Sequence, residues 1–347
     1  IYNAGPKIEN SSIYNNAATG DGGGGIYIAN ANHLKIEGCS IRNSSCGNNG
    51  RGSGIRIISS TSILIKNCEI SNNSSHGYDA FGGGFYAENS SFILNTCIIK
   101  NNSAQSRGGG LYVKSSDDVE LDNLSIHNNS SQVGGGLYFS QTNGTLNNSD
   151  VYSNSSSSHA GGIACYDSSP SISNSSVRNN IAGQNGGGIW ALDGGNPNLN
   201  NLIIENNNAS WGGGGTYGSV QISNSLIKGN SAGDSHPQIE YRSGGGLNGF
   251  TSIENCKIIN NFSGNGGGVA FGGTITNTLI INNSCDEYGA GAYDVSSIST
   301  STIINNNSLQ NYNGLYGNCS VSNSNIINDD YGHFNNDPSS IPDAMHN

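Results

Sequence analysis

The chain has 347 residues, of which 52 are glycine and only 6 proline; 33% are hydrophobic, 11% are charged, and the formal net charge is −11. Thirteen basic residues with no Lys/Arg run exclude a nucleic-acid footprint, and no apolar run is long enough for a membrane-spanning helix. Abundant Asn and Ser alone would suggest disorder, but regularly spaced apolar residues imply one thin, continuous core.

The chain opens on Ile1-Tyr2-Asn3 with no leader pattern and reads as a mature product or a fragment. The first recurring element is Ile8-Glu9-Asn10-Ser11-Ser12-Ile13, followed by Gly23-Gly24-Gly25-Ile26-Tyr27. The pair returns as Ile65-Lys66-Asn67-Cys68-Glu69-Ile70 with Gly82-Gly83-Gly84-Phe85-Tyr86, and again up to Val321-Ser322-Asn323-Ser324-Asn325-Ile326. The residue after each glycine run falls at 85, 111, 137, 163 and 189, a step of 26, then at 216 and 247, and finally at 269, 292 and 315 in steps of 22 and 23. A period in the twenties sustained along the chain means a solenoid of stacked repeats.

Inside each repeat the apolar period is two, bounded by Asn or Gly, which is strand patterning; no helical period of useful length occurs. The prediction is an all-β fold: a single right-handed parallel β-helix of about 13 rungs over residues 1–328, with an irregular tail at 329–347. Asn67, Asn123, Asn174, Asn255 and their equivalents form a column at a bend, where stacked amides are expected to bond from rung to rung. The glycine column allows positive φ and close backbone approach, and no Lys-Ser/Thr pair follows it to suggest a phosphate loop. Cys39, Cys68, Cys97 and Cys256 share a column with Ser149, Ser175 and Thr278, so they read as small buried packing groups. Cys46, Cys165, Cys285 and Cys319 lie off that column, where a bridge is possible but its pairing is not readable. No Cys-x-x-Cys pair occurs, and no metal or cofactor is expected.

Glycine runs followed by an apolar residue and Tyr or Trp, alternating with an apolar-x-Asn-Asn turn, resemble the repeats of polymorphic outer-membrane-protein adhesins and of right-handed β-helix surface proteins more widely. The resemblance spans Ile8 to Asn328 and implies a β-helix at a cell surface. The chain uses Ile or Val where those adhesins favour Phe, and it carries no C-terminal barrel pattern.

Two outward columns are candidate interaction surfaces. Tyr27, Tyr86, Tyr112, Tyr138, Trp190, Tyr217, Tyr293 and Tyr316 follow the glycine-run hydrophobe, and alternation places them outside, as a stiffening stack or as a binding stripe for a partner protein or sugars. Ile259, Ile281, Ile304 and Ile327 continue a column that is polar in earlier rungs, forming an apolar patch to be covered by the tail or by another chain. Asn72, Asn101, Asn128, Asn282 and Asn306 are sequons assigned to turns and would carry sugars in a glycosylating host.

Chemistry would need a local break in the repeat. The candidates are Asp117, Asp118, Glu120 and Asp122; His76, Tyr78 and Asp79; and Asp234, His236, Glu240 and Arg242 in the long insertion from Asn230 to Ser243. These charges are sparse. The expected function is a non-catalytic structural or adhesive protein, extracellular or at the cell surface, partnered by copies of itself, another surface protein or glycans. A self-assembling fibre subunit and the stalk of an adhesin both fit. The alternative is a polysaccharide lyase or hydrolase on the same scaffold.

Overall fold

The computed structural model describes residues 1–2, 5–20, 22–233, 243–310, 313–329 and 331–332. Each repeat folds into short strands joined at bends. In one rung these are Phe85–Glu88, Phe92–Asn95, Ile98–Lys100 and Ser103–Ala104. The first two lie on one face, split by a left-handed Asn89 (φ 50°); the third and fourth form two further faces. Among the described residues the first face carries 24 strands, the second 13 and the third 12, giving a solenoid of about twelve to thirteen turns with no helix.

Every rung pairs in parallel with the next, and equivalent residues stack. Leu111, Leu137, Ile163 and Ile189 are in direct register on the first face, as are Ile99, Ile126, Val151 and Val177 on the second. These columns are fully buried and form one continuous interior. The first-face sheet continues past 328: Tyr331–Gly332 pairs with Leu315–Tyr316, while residues 333–347 lie outside the described part.

The glycine turn brings the chain from the third face back to the first. Gly108 sits at φ 64°, and a Cβ on Gly109 would lie 2.4 Å from the Ser130 carbonyl, so that turn has no room for a side chain.

The stacked amides run in a different column from the one the turn pattern suggests. Asn67, Asn123 and Asn174 hold left-handed φ values of 54°, 56° and 48° and point outward. Their cross-rung bonds are intermittent, such as Asn201 Nδ2 to Asn174 Oδ1 at 2.8 Å. The continuous ladder is the Asn that follows the left-handed residue of the next bend, in most rungs the second of an Asn-Asn pair but after Ser153 and Gly229 in two, and it lies inside that bend. It runs from Asn73 through Asn102, Asn129, Asn154, Asn180, Asn207, Asn230, Asn261 and Asn283 to Asn306. Asn180 shows the unit. Its Oδ1 accepts the Asn154 backbone N–H at 3.0 Å and Asn154 Nδ2 at 3.1 Å, and its Nδ2 donates to the Val151 carbonyl at 3.0 Å. At Asn306 the ladder passes to the Asp329 carboxylate, which accepts the backbone N–H at 2.7 Å. Buried backbone N–H groups at a bend lack a strand partner, and this column supplies it.

The Cys/Ser/Thr column does the same at the neighbouring bend: the Leu124 and Ser149 N–H groups donate to the hydroxyls of Ser149 and Ser175, each at 3.0 Å. All eight cysteines are buried thiols outside any disulfide, including Cys46, Cys165, Cys285 and Cys319. Burial pushes the Cys256 thiol up to about 11 and the Cys319 thiol to about 12, so both stay protonated at neutral pH.

Candidate functional site

The aromatic column stacks in register, Tyr86 on Tyr112 on Tyr138, then Ala164, Trp190 and Tyr217. It lies outside the main core, as alternation requires, but over its middle rungs it is not exposed: Tyr86, Tyr112 and Tyr138 are at most 2% accessible. The expected exposed stripe is therefore corrected there. A second row covers it, contributed by residues just before the glycine turns: Arg51, Phe81, Arg107, Val133 and His159, themselves paired rung to rung. The two rows interdigitate. Phe81 stacks on Tyr112 at 4.9 Å and His159 on Trp190 at 4.9 Å. The Arg107 guanidinium lies 5.7 Å from the Phe81 ring and 5.6 Å from Tyr138, a cation–π sandwich. Burial raises the Tyr86 and Tyr138 hydroxyls above their ordinary range and lowers the His159 imidazole. Alternation reports inside or outside the helix, not whether a second layer lies on top. The usable signal was the large residue before each middle glycine run. At the ends the column opens: Tyr27 is 42% exposed, and Tyr293 and Tyr316, stacked at 5.6 Å, are half-buried.

Ile259, Ile281, Ile304 and Ile327 are in direct register on the second face. The first three are half-buried and Ile327 is 38% exposed. Earlier rungs of the same column carry Arg42, Ser71, Lys100, His127, Tyr152 and Arg178. There Arg178 caps the Tyr152 ring at 4.4 Å and pairs with Asp150.

Asn72, Asn101, Asn128 and Asn282 are exposed, left-handed turn residues. Asn306 is not. It belongs to the internal ladder, is 3% exposed, and its Nδ2 donates to the Ile280 carbonyl, so this sequon is corrected to a buried position. In the other four repeats the first, exposed Asn of the pair carries a sequon; in Asn305-Asn306 only the second, inner one does.

The acidic candidates are dispersed. Asp118 and Glu120 are exposed, while Asp122 accepts from Asn95 Nδ2 at 2.9 Å and Asn148 Nδ2 at 3.0 Å. His76 contacts the Ser74 hydroxyl at 3.1 Å on an exposed loop with Tyr78 and Asp79. Asp234, His236, Glu240 and Arg242 lie outside the described residues. Other carboxylates are engaged between rungs: Glu37 sits between Lys35 and Lys66, whose hydrogen bonds hold it down to about 2. Among the described residues no three His, Cys, Asp or Glu side chains converge to hold a metal ion.

One feature breaks the translational repeat. On the first face Trp190, Tyr217 and Asn248 are in register, and so are Asn198, Gln221 and Ser252. Eight positions separate Trp190 from Asn198, but only four separate Tyr217 from Gln221 and Asn248 from Ser252. The connecting segment is thus halved, and the helix steps inward. The ledge left by the longer rung opens a concavity of roughly 430 Å³. Asp193 and Asn196 line it from the longer rung, and Tyr217, Ser219, Asn248 and Thr251 from the shorter ones. Gly218, at φ 97°, makes the early turn; a Cβ there would lie 1.7 Å from the Ala191 carbonyl. A shallower groove of roughly 720 Å³ follows the exposed Asn123–Asn201 turns.

Parallel ladders on three faces, an internal amide column and a continuous apolar interior define a parallel β-helix protein. The family model described as a right handed beta helix region matches residues 1–103 and 24–209, more than half of the chain, which therefore belongs to that family. No curated protein matches. The catalytic domain of a GH87 alpha-1,3-glucanase in complex with tetrasaccharides is similar at 14% identity and a TM-score of 0.38, a likeness too distant to bear on function. The alignment covers 100% of this chain and 64% of that one.

Proposed function

We propose that the chain is a non-catalytic β-helix protein of the extracellular space or cell surface, acting as a structural or adhesive rod of the kind its adhesin-like repeats suggest. The observation that supports this reading is the engagement of its outward carboxylates in rung-to-rung contacts: Glu37 with Lys66, Glu69 with Lys100, Glu88 with Lys114 and Asp150 with Arg178. Glycoside hydrolysis needs two carboxyl groups facing one another across a bond, and among the described residues the ledge contributes one, Asp193. Copies of the chain, another surface protein or a glycan are the partners that fit, with the Ile259–Ile327 ladder and the open ends of the aromatic column as the contact surfaces.

Two measurements test the reading together. Antibody against the chain should label the outside of intact source cells. Purified chain incubated with a panel of neutral and uronate polysaccharides should leave their chain lengths unchanged. New reducing ends or unsaturated products, lost on mutation of one acidic residue, would replace this reading with a carbohydrate-active enzyme.

A further inference from the structure

We infer that Cys68 and Cys97 form an oxidation site, at which a small hydroperoxide joins the two thiols into a disulfide between neighbouring rungs. Three cysteines occupy successive rungs at one bend. Glu69 pairs in direct register with Ser40 on one side and with Ile98 on the other, so the residues just before them, Cys39, Cys68 and Cys97, stack in that order. Neighbouring parallel strands lie about 4.8 Å apart, which is within the range of Cα separations that a disulfide spans.

The side chains line up along the column. Cys39, Cys68 and Cys97 Sγ lie 3.3, 3.1 and 3.3 Å from the carbonyls of Glu37, Lys66 and Asn95. Each sulfur also leans toward the preceding rung: Cys68 Sγ accepts the Cys39 N–H at 3.4 Å and lies 3.8 Å from the Ile36 carbonyl, and Cys97 Sγ lies 3.8 Å from the Ile65 carbonyl. Cys68 is thus the thiol with a thiol on both sides. The Cys97 S–H donates to its sulfur, as do the Cys39 and Gly38 N–H groups, and these donors hold the Cys68 thiol below its ordinary range, while the same bond and burial keep the proton on Cys97. The same column supplies a contrast. Cys256 is equally buried and lies 3.1 Å from the Glu254 carbonyl, but its neighbours are Ser225 and Thr278, and burial pushes its thiol up to about 11.

The two thiols divide the chemistry between them, since the thiolate is the nucleophile. The Cys68 sulfur attacks the O–O bond of hydrogen peroxide and becomes a sulfenic acid; the other oxygen leaves as water with the Cys68 proton. The Cys97 sulfur then displaces the sulfenic hydroxyl, which leaves as water with the Cys97 proton. Two thiols and one peroxide become one disulfide and two waters, with two electrons passing from sulfur to oxygen. Cys97 borders the groove along the Asn123–Asn201 turns, which gives a peroxide its approach. Cys68 and Cys97 are only 3% and 1% accessible, so a bulky disulfide oxidant is shut out.

The inference stands independently of the adhesive reading. The full folded chain is exposed to graded hydrogen peroxide, its remaining thiols are alkylated in denaturant, and it is mapped by mass spectrometry without reduction. Chymotrypsin serves for digestion because Tyr78 and Phe81 lie between the two cysteines. A Cys68–Cys97 bridge should appear at about tenfold less peroxide than modifies Cys256, as expected of the more acidic thiol. Cys97→Ser, a residue the column already holds at Ser149 and Ser175, should leave a Cys68 sulfenic acid that dimedone traps. Cys68→Ser should abolish both the bridge and the dimedone adduct. The site is overturned if Cys68 reacts no faster than Cys256, if it runs on to sulfinic acid without bridging, or if the bridge forms only after urea has unfolded the chain.

Discussion

The rungs up to Asn200 and those from Thr216 onward share an interior but not an exterior. In both, three apolar columns fill the core and the same amide ladder runs through Asn180, Asn207, Asn230 and Asn261. Outside, the longer rungs carry the buried Tyr/Trp column under its Arg, Phe and His cover, whereas the shorter rungs replace a polar column with Ile259, Ile281 and Ile304. The linking segment shrinks from eight positions after Trp190 to four after Tyr217. A ladder that satisfies each bend internally leaves the outer columns and the link free to change. The two regions therefore differ on their surfaces, and the ledge lies at their junction.

The largest effect belongs to what they share. Phe139→Ala, at a fully buried position, should lower stability by about 3 to 5 kcal/mol in urea unfolding, through lost burial and an unfilled cavity. The comparison itself is sharpened by the outer columns. Tyr112→Ala removes a ring stacked on Phe81, Tyr86 and Tyr138, and a loss of about 3 kcal/mol is expected. Ile281→Ala, half-buried in the same kind of outward column, should lose about 1 kcal/mol. Equal losses would erase the distinction between a covered and an open outer layer.

A third effect is confined to the longer rungs. Burial lowers the His159 imidazole below its ordinary 6.5, so in the pH window just beneath 6.5 the unfolded chain binds a proton that the folded chain refuses. Stability should be fully present above 6.5 and fall as pH drops through it; in His159→Gln that part of the pH dependence should vanish. The smallest effect is local. Glu37 should titrate near 2 by carbon NMR, because Lys35 and Lys66 bond its charged form, and Lys66→Ala should move it back toward 4.5.

Much of the fold was legible because a solenoid repeats its instructions. Gly108-Gly109-Gly110 and Ile126 recur with their equivalents, so strand order, parallel register and interior columns follow from spacing alone. The Asn pairs were legible as turns but not as a wall with two sides. Asn128 and Asn129 are chemically identical, and only the backbone turn puts one in water and the other into the ladder. The covering of Tyr112 by Phe81 is a contact between rows set by loop shape, to which period-two patterning is blind. The ledge was present in the spacings, as the change from steps of 26 to steps of 22 and 23. Its lining depends on where in the rung the missing residues fall.

The central claim is that the inner amide ladder, and not the exposed turn column beside it, holds the rungs together. Urea unfolding of Asn180→Ala and Asn174→Ala tests it directly. Asn180→Ala strands the Asn154 N–H and removes an acceptor from Asn154 Nδ2, so a loss of about 3 kcal/mol or more is expected. Asn174→Ala alters an exposed left-handed turn residue, for which a loss of about 1 kcal/mol is expected. Equal losses, or a larger one at Asn174, would contradict the account.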